Sequence, residues 1–291
     1  MKTKGTIDLH THTLYSDGEL TPDELVKKAE EEGLKTIAIT DHDTLLGVKN
    51  MTITKENRKV DVINGIEVSI KVPKGRMHIL GLDIDICNKK LNDKMDELHN
   101  RSIYSVAGII CQLKKDHGIV FKTEEILEIL NEKRNIGRPD VAKLLIKHGY
   151  TNSVQESFEK YLIDAYTKIG DVAKGISFPE CAELIHAANG FVVLAHPVSL
   201  ELDKEELENK IKYLVDNGLD GIEVYHSNHT KEDEKEFLRL AKKYNLLISG
   251  GSDFHGPKVK PNVKLGKGKD NIEITNLSVL DEICCKNNKT N

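Results

Sequence analysis

The sequence predicts an α/β fold, a distorted (β/α)7 TIM-like barrel with an inserted small helical subdomain, and three observations carry that expectation. Short apolar runs recur along the chain, and most end in a histidine or a carboxylate, as strands do when they deliver polar groups to one rim of a barrel. The first 43 residues read as strand, helix and strand, the repeating unit of a parallel sheet. The interval between His78 and His196 is far longer than the roughly 30 residues of one helical crossover, so something is inserted there.

The elements follow in order. Ile7-Asp8-Leu9-His10-Thr11-His12 reads as a strand, and side chains two positions apart on a strand share a face. His10 and His12 are therefore placed to grip one cation, with Asp17 on the turn marked by Gly18. Thr21-Pro22-Asp23-Glu24 supplies an N-cap, a proline at the first helical position and the glutamate of a capping box. Leu25, Val26 and Ala29 fall at helical spacing, and Gly33 sits where a left-handed C-terminal residue is expected. Thr36 to Thr40 is the next strand, leading into Asp41-His42-Asp43. Val62 to Glu67 ends in a carboxylate, and Met77 to Gly81 carries His78. From about Leu98 to Gly175 the patterns are helical, at Glu124 to Glu132, Val141 to His148 and Val154 to Ile163, as for a small subdomain over the rim. Three more strands close with polar residues: Phe191 to Leu194 before Ala195-His196-Pro197, Gly221 to Val224 before Tyr225-His226, and Leu246 to Ile248 before Gly250-Gly251-Ser252-Asp253-Phe254-His255. Helices are expected between them at Glu205 to Asn217 and Lys231 to Tyr244. The expected division is 1–97 with 176–276 as the barrel, 98–175 as the insertion, and 277–291 as a tail with a short helix and a polar end.

Composition narrows the functional class. The 291 residues carry 42 basic and 47 acidic side chains, a formal charge of −5, which disfavours a protein that coats long nucleic acid through a general basic surface. Five cysteines, Cys87, Cys111, Cys181, Cys284 and Cys285, form no Cys-x-x-Cys pair and read as reduced thiols. No apolar run resembles a signal peptide or a membrane span. A cytoplasmic protein with no membrane contact and no obligate protein partner is expected.

Nine groups at strand ends, His10, His12, Asp17, His42, Glu67, His78, His196, Asp253 and His255, are of the types that bind divalent transition metals through nitrogen and oxygen. A histidine at one strand end is usually an ordinary satisfied polar residue; nine such groups at corresponding positions are too many for one ion, so two or three divalent ions are expected, with Glu67 bridging. The motifs Asp8-Leu9-His10-Thr11-His12, Ser16-Asp17-Gly18, Thr40-Asp41-His42-Asp43, Gly65-Ile66-Glu67, Ala195-His196-Pro197 and Gly251-Ser252-Asp253-Phe254-His255 together resemble the polymerase and histidinol phosphatase (PHP) family of metal-dependent phosphoesterases. The nearest resemblance is to the branch that removes the 3′-phosphate of nucleoside 3′,5′-bisphosphates and whose relatives trim short RNA from the 5′ end; the insertion and Ile136-Gly137-Arg138-Pro139 look like that branch.

The resemblance implies the PHP fold and three ion sites: His10, His12, Glu67 and Asp253; Glu67, His78 and His196; Asp17, His42 and His255. Manganese is the usual family metal, and iron or zinc suits the same donors. Where relatives commonly have Gly-Arg-Pro-His, this chain has Gly137-Arg138-Pro139-Asp140, and a carboxylate there repels phosphate unless it turns away or pairs with Arg138.

The expected reaction is hydrolysis of a phosphate monoester on a small nucleotide or short oligonucleotide, by a metal-bridging hydroxide. Asp253 and His196 are the expected catalytic metal ligands. Arg138 is the candidate for gripping a phosphate, against a plain role as a helix-start ion pair. His226 is the candidate for protonating the leaving ribose oxygen or binding phosphate. Lys258, Lys260, Lys264, Lys267 and Lys269 form a run that attracts a second phosphate or simply faces solvent. The competing functions are histidinol-phosphate phosphatase and a non-catalytic metal or nucleic-acid binding module; the insertion disfavours the first and the full set of nine donors disfavours the second.

Overall fold

The computed structural model describes residues 6–132, 134–170, 175–274 and 277–289. The chain divides into two compact units, Met1–Asp93 with Ile176–Asn291, and Lys94–Gly175.

The first unit is built on a seven-stranded sheet in sequence order: β1 (Thr6–Thr11), β2 (Leu34–Ile39), β3 (Asp61–Ile70), β4 (Met77–Leu82), β5 (Phe191–Leu194), β6 (Gly221–His226) and β7 (Leu247–Gly251). The two edges approach at the rim, where Asp253 N donates to His10 O at 2.9 Å and His12 N to Phe254 O at 2.9 Å, so the barrel is nearly closed. Helix α1 (Pro22–Glu31) starts as its sequence dictates, with Glu24 N donating to Thr21 Oγ1 at 3.2 Å and Thr21 N to Glu24 Oε2 at 2.8 Å. It ends before Gly33 at φ +74°, a conformation glycine adopts without steric cost. A short helix α2 (Leu46–Lys49) lies in the crossover to β3.

The sheet departs from a parallel (β/α)7 barrel at one strand. β4 pairs antiparallel with both β3 and β5, because the segment between Ile70 and Met77 is too short for a helical crossover and turns back through Gly75. Reversal puts the first residues of β4, rather than its last, level with the carboxyl ends of its neighbours. His78, paired with Ser69, thereby reaches the same rim as the others.

One core joins Ile7 and Leu9 of β1, Leu80 and Leu82 of β4 and Val193 of β5 to Val279, Leu280 and Ile283 of the C-terminal helix α11 (Ser278–Lys289). The tail is therefore packed into the barrel unit by an apolar face, not merely appended. Between the later strands lie helices α8 (Phe178–Ala187), α9 (Lys204–Asp216) and α10 (Lys231–Tyr244).

The second unit is helical. Helix α3 (Lys89–His117) begins in the first unit and continues into the second, followed by α4 (Thr123–Leu130), α5 (Arg138–Lys147), α6 (Val154–Ser157), a π turn over Phe158–Leu162 and α7 (Ile163–Ile169). Val106, Ile109, Leu113, Val141, Leu145 and Leu162 share its own apolar core. Among the described residues no helix is long and apolar enough to cross a membrane, and the five cysteines are free thiols.

Candidate metal centre

Alternation along β1 aims His10 and His12 the same way, and both imidazoles are fully buried against Glu67 of β3. His10 Nε2 and His12 Nε2 each lie 3.1 Å from Glu67 Oε2, and 3.7 and 3.3 Å from Asp253 Oδ1. Those spacings match the roughly 3.3–3.6 Å between ligands of a four-coordinate ion bound at about 2.0–2.2 Å. On the other side of Glu67, His78 Nδ1 and His196 Nε2 each stand 2.9 Å from Oε1, and His42 Nδ1 stands 3.2 Å from Oε2. Asp17 completes a third group, 3.1 Å from His255 Nε2, 3.7 Å from His12 Nδ1 and 3.9 Å from His42 Nε2. All nine groups anticipated from the sequence meet at one rim.

Proton placement shows what the centre accepts. His10 Nδ1 is 3.0 Å from Glu223 Oε1, His255 Nδ1 is 2.9 Å from Asp253 O, and His196 Nδ1 is 2.8 Å from Ser199 Oγ, which itself donates to Arg76 O at 2.9 Å. Each partner is an acceptor, so each Nδ1 carries a hydrogen, and Nε2, aimed at a carboxylate, is the atom that a neutral ring would offer to an ion. Lone pair facing lone pair in a buried site is repulsive unless a cation lies between. His10 Nε2, His12 Nε2 and Glu67 Oε2 are buried without a hydrogen-bond partner, as donors reserved for an ion would be. The donor set fits divalent metal ions.

The electrostatics agree. Burial opposes ionisation of Glu67, yet the imidazoles of His42, His10 and His78 hold its carboxyl well below the usual range. Asp253 behaves alike: burial opposes, and His255, His12 and His226 prevail. His12 and His42, with rings 4.6 Å apart, move in opposite directions. Against burial, Asp253 and Glu67 push His12 up to about 9, whereas burial takes His42 down to about 3 despite Glu67 and Asp17. Neighbouring rings cannot all carry a proton, so protons alone satisfy these carboxylates poorly.

The rim is strained at two of its predicted ligands. Asp253 has φ +57° and His196 φ +22°, a costly region for a non-glycine residue. His196 is held there by its backbone N donating to Glu223 Oε2 at 2.7 Å. Gly251 lets β7 approach β1: a Cβ there would meet His10 Cβ and N at 2.4 Å.

Supporting residues were less legible. Glu223, fully buried on β6, orients both His10 and His196 and was not singled out from the sequence; its signal was a lone carboxylate inside an apolar strand. Of the Asp41-His42-Asp43 motif only His42 faces the cluster. Asp41 accepts from Thr13 N, Thr13 Oγ1 and Ser16 Oγ at 2.6–2.7 Å, fixing the loop that carries Asp17, while Asp43 accepts from Ser69 N and Oγ at 2.8 Å. Asp8 accepts from Ser252 N at 2.8 Å and Gly266 N at 2.7 Å, clasping β1 to the loops beyond β7.

His226 is buried with its Nδ1 accepting from Asn228 N at 3.1 Å, so its proton sits on Nε2, 3.5 Å from Asp253 Oδ2. It presents a donor where the predicted ligands present lone pairs. Arg138 belongs to the helical unit, with its guanidinium 4.4 Å from the Tyr166 ring centroid and 5.2 Å from that of Phe158. Asp140, expected to turn away or to pair with Arg138, is buried and accepts from Arg134 Nη2 at 2.7 Å and Gly137 N at 2.9 Å.

Comparison with known proteins places this geometry. A PHP domain is recognised over residues 8–257. The chain is 32% identical over 263 residues to the 5′-3′ exoribonuclease Rnm of Salmonella typhimurium strain LT2, covering 89% of this chain and 88% of that one. It is 29% identical over 252 residues to a 3′,5′-nucleoside bisphosphate phosphatase of Chromobacterium violaceum, covering 86% and 87%. A crystal structure assigned to the metal-dependent phosphoesterases, from Bifidobacterium adolescentis, superposes with a TM-score of 0.76 at 28% identity over 96% of both chains. The chain belongs to the PHP domain family of metal-dependent phosphoesterases.

Proposed function

We propose that the chain is a phosphatase that removes the 3′-phosphate of nucleoside 3′,5′-bisphosphates, with short RNA trimmed from its 5′ end as a related reaction of the same site. The ligands we assign are His10, His12, Glu67 and Asp253 for one ion, Glu67, His78 and His196 for a second, and Asp17, His42 and His255 for a third, with manganese as the native metal. The observation that carries the reading is the convergence of imidazole nitrogens on Glu67, Asp253 and Asp17 within 2.9–3.7 Å. The named activities of the exoribonuclease and bisphosphate phosphatase relatives supply the substrate class.

Divalent ions held there supply positive charge for the phosphate oxygens and lower the pKa of water from about 15.7 toward 7. The chain's own residues do the rest. Glu223 keeps the His10 lone pair and the strained His196 backbone in place, and Asp41 fixes the loop bearing Asp17. His226, with its hydrogen on Nε2, is the donor we assign to the leaving ribose oxygen.

Phosphate release by the manganese-loaded protein from adenosine 3′,5′-bisphosphate, histidinol phosphate and a short 5′-phosphorylated RNA tests the assignment. Fastest release from the bisphosphate is expected. Faster release from histidinol phosphate would overturn the substrate, and no release from any of them would favour a non-catalytic module.

A further inference from the structure

Five lysines follow His255, and the structure separates one from the rest. Lys258 pairs with Glu19 at 3.0 Å, Lys264 with Asp270 at 2.6 Å and Lys267 with Glu32 at 2.9 Å, while Lys269 donates to Asn228 Oδ1 at 2.7 Å. All four are tied off on partners outside the metal centre. Lys260 instead lies with its ammonium 2.6 Å from Asp253 Oδ2. Its backbone is fixed on both sides, Lys260 N donating to Gly256 O at 2.9 Å and Val263 N to Lys260 O at 3.0 Å.

The two oxygens of Asp253 face different surroundings. Oδ1 looks into the cage, 3.3 Å from His12 Nε2 and 3.3 Å from His255 Nδ1. Oδ2 faces Lys260 and, at 3.5 Å, the buried His226 Nε2. The lysine therefore does not compete for the oxygen aimed at His12 and His255. Its side chain is 36% exposed against 12% for Asp253, so it stands between the buried carboxylate and solvent. An ammonium has three donors, and one carboxylate oxygen at 2.6 Å uses one of them.

We propose that Lys260 is a substrate-binding residue of this centre: its ammonium, anchored on Asp253 Oδ2, donates to a non-bridging oxygen of the phosphoryl group being cleaved, and so favours doubly charged phosphate monoesters over diesters. The inference rests on the phosphoesterase reading of the rim. A purely structural salt bridge would hold Asp253 in place and do nothing for phosphate, and the two roles separate experimentally.

The test uses the metal-loaded protein with inorganic phosphate as the calorimetric probe, alongside metal content and turnover of a phosphate monoester. Lys260→Gln is expected to weaken phosphate binding and lower kcat/KM by about 10- to 100-fold, the loss of one charged hydrogen bond, with metal content unchanged. Lys260→Arg, which keeps charge and donors, should recover much of both, and Lys264→Gln should change neither. Wild-type phosphate affinity in Lys260→Gln, or a loss of metal in step with activity, would overturn the role of Lys260 while leaving the phosphoesterase standing. A metal-loaded wild type that neither binds phosphate nor releases it from any ester would overturn the phosphoesterase reading and this inference with it.

Discussion

The barrel rim and the helical unit treat charge in opposite ways. At the rim, His10, His12 and Glu67 are fully buried and converge with atoms left unpaired. In the helical unit, Lys168 meets Asp116 and Asp164, Lys147 and His148 meet Glu125, and these pairs ring an apolar core of valine, leucine and isoleucine. The helical unit is explained by ordinary stability: an apolar core, matched charges outside it, and the buried Asp140 paired with Arg134. The rim is not, because burying charged groups costs several kcal/mol each, and here Glu67 Oε2, His10 Nε2 and His12 Nε2 are buried without a hydrogen-bond partner. A fold retains such groups where a ligand completes them, so the contrast locates function without reference to any relative.

The sharpest way to break the contrast is to delete one histidine from each region. His196→Ala and Asp253→Ala are each expected to lose 100-fold or more in phosphate release together with part of the bound metal, because the ligands we propose should matter at least as much as the 10- to 100-fold typical of supporting partners. His148→Ala, which removes only a contact of 2.8 Å with Glu125, should leave turnover and metal content unchanged. Metal analysis and phosphate release on the three variants decide it; equal losses would erase the distinction.

Next in size is Glu223→Gln. It keeps the shape but weakens the acceptor for His10 Nδ1 and His196 N, so metal affinity or activity should fall 10- to 100-fold with the fold retained by circular dichroism. Metal removal gives the third effect. A chelator should lower the thermal midpoint of the barrel, and metal at 100 times its dissociation constant should restore about 2.7 kcal/mol; hydrogen exchange should show protection lost around β1, β3 and β7 and not in α5.

How far sequence reached follows the same divide. Strand ends with their histidines were legible because alternation and the β-α-β pattern fix both the face and the rim. Helix α1 was legible because Thr21, Pro22 and Glu24 dictate its start chemically. The reversal of β4 was not anticipated: an imidazole at the start of an antiparallel strand and one at the end of a parallel strand leave similar local patterns. Glu223 escaped, and Asp41 and Asp8 were visible only as motif members without a role, because a carboxylate that orients another group has no spacing signature of its own. Asp140 was flagged as a departure, but its partner Arg134 lies on the preceding loop, a choice that only packing settles.

Arg138 sharpens the contrast from the helical side. Its guanidinium stands over the rings of Tyr166 and Phe158, so Arg138→Ala should destabilise the helical unit by about 0.5–2 kcal/mol and leave metal content unchanged. Arg138→Lys keeps the charge but not the planar stack. If the phosphate-gripping role holds, both variants raise KM for the bisphosphate; a loss of stability with KM unchanged confines Arg138 to packing.

The smallest effect lies at Glu125, a carboxylate of the helical unit held by a lysine and a histidine. Its hydrogen bond from Lys147, followed by that from His148, holds its pKa down at about 2 against an ordinary 4.5. A folded pKa below the unfolded one means that the ionised form is favoured by folding. The stabilisation is thus complete above about pH 4.5 and disappears as pH falls through about 2. Glu125→Gln should flatten that acid dependence, read as hydrogen exchange of the α4 and α5 amides across the window, and leave turnover at neutral pH untouched. Lys147 is exposed, so solvent screens the pair and the change should be slight, whereas a change in turnover at neutral pH would mean that charge in the helical unit serves the reaction as well as the fold.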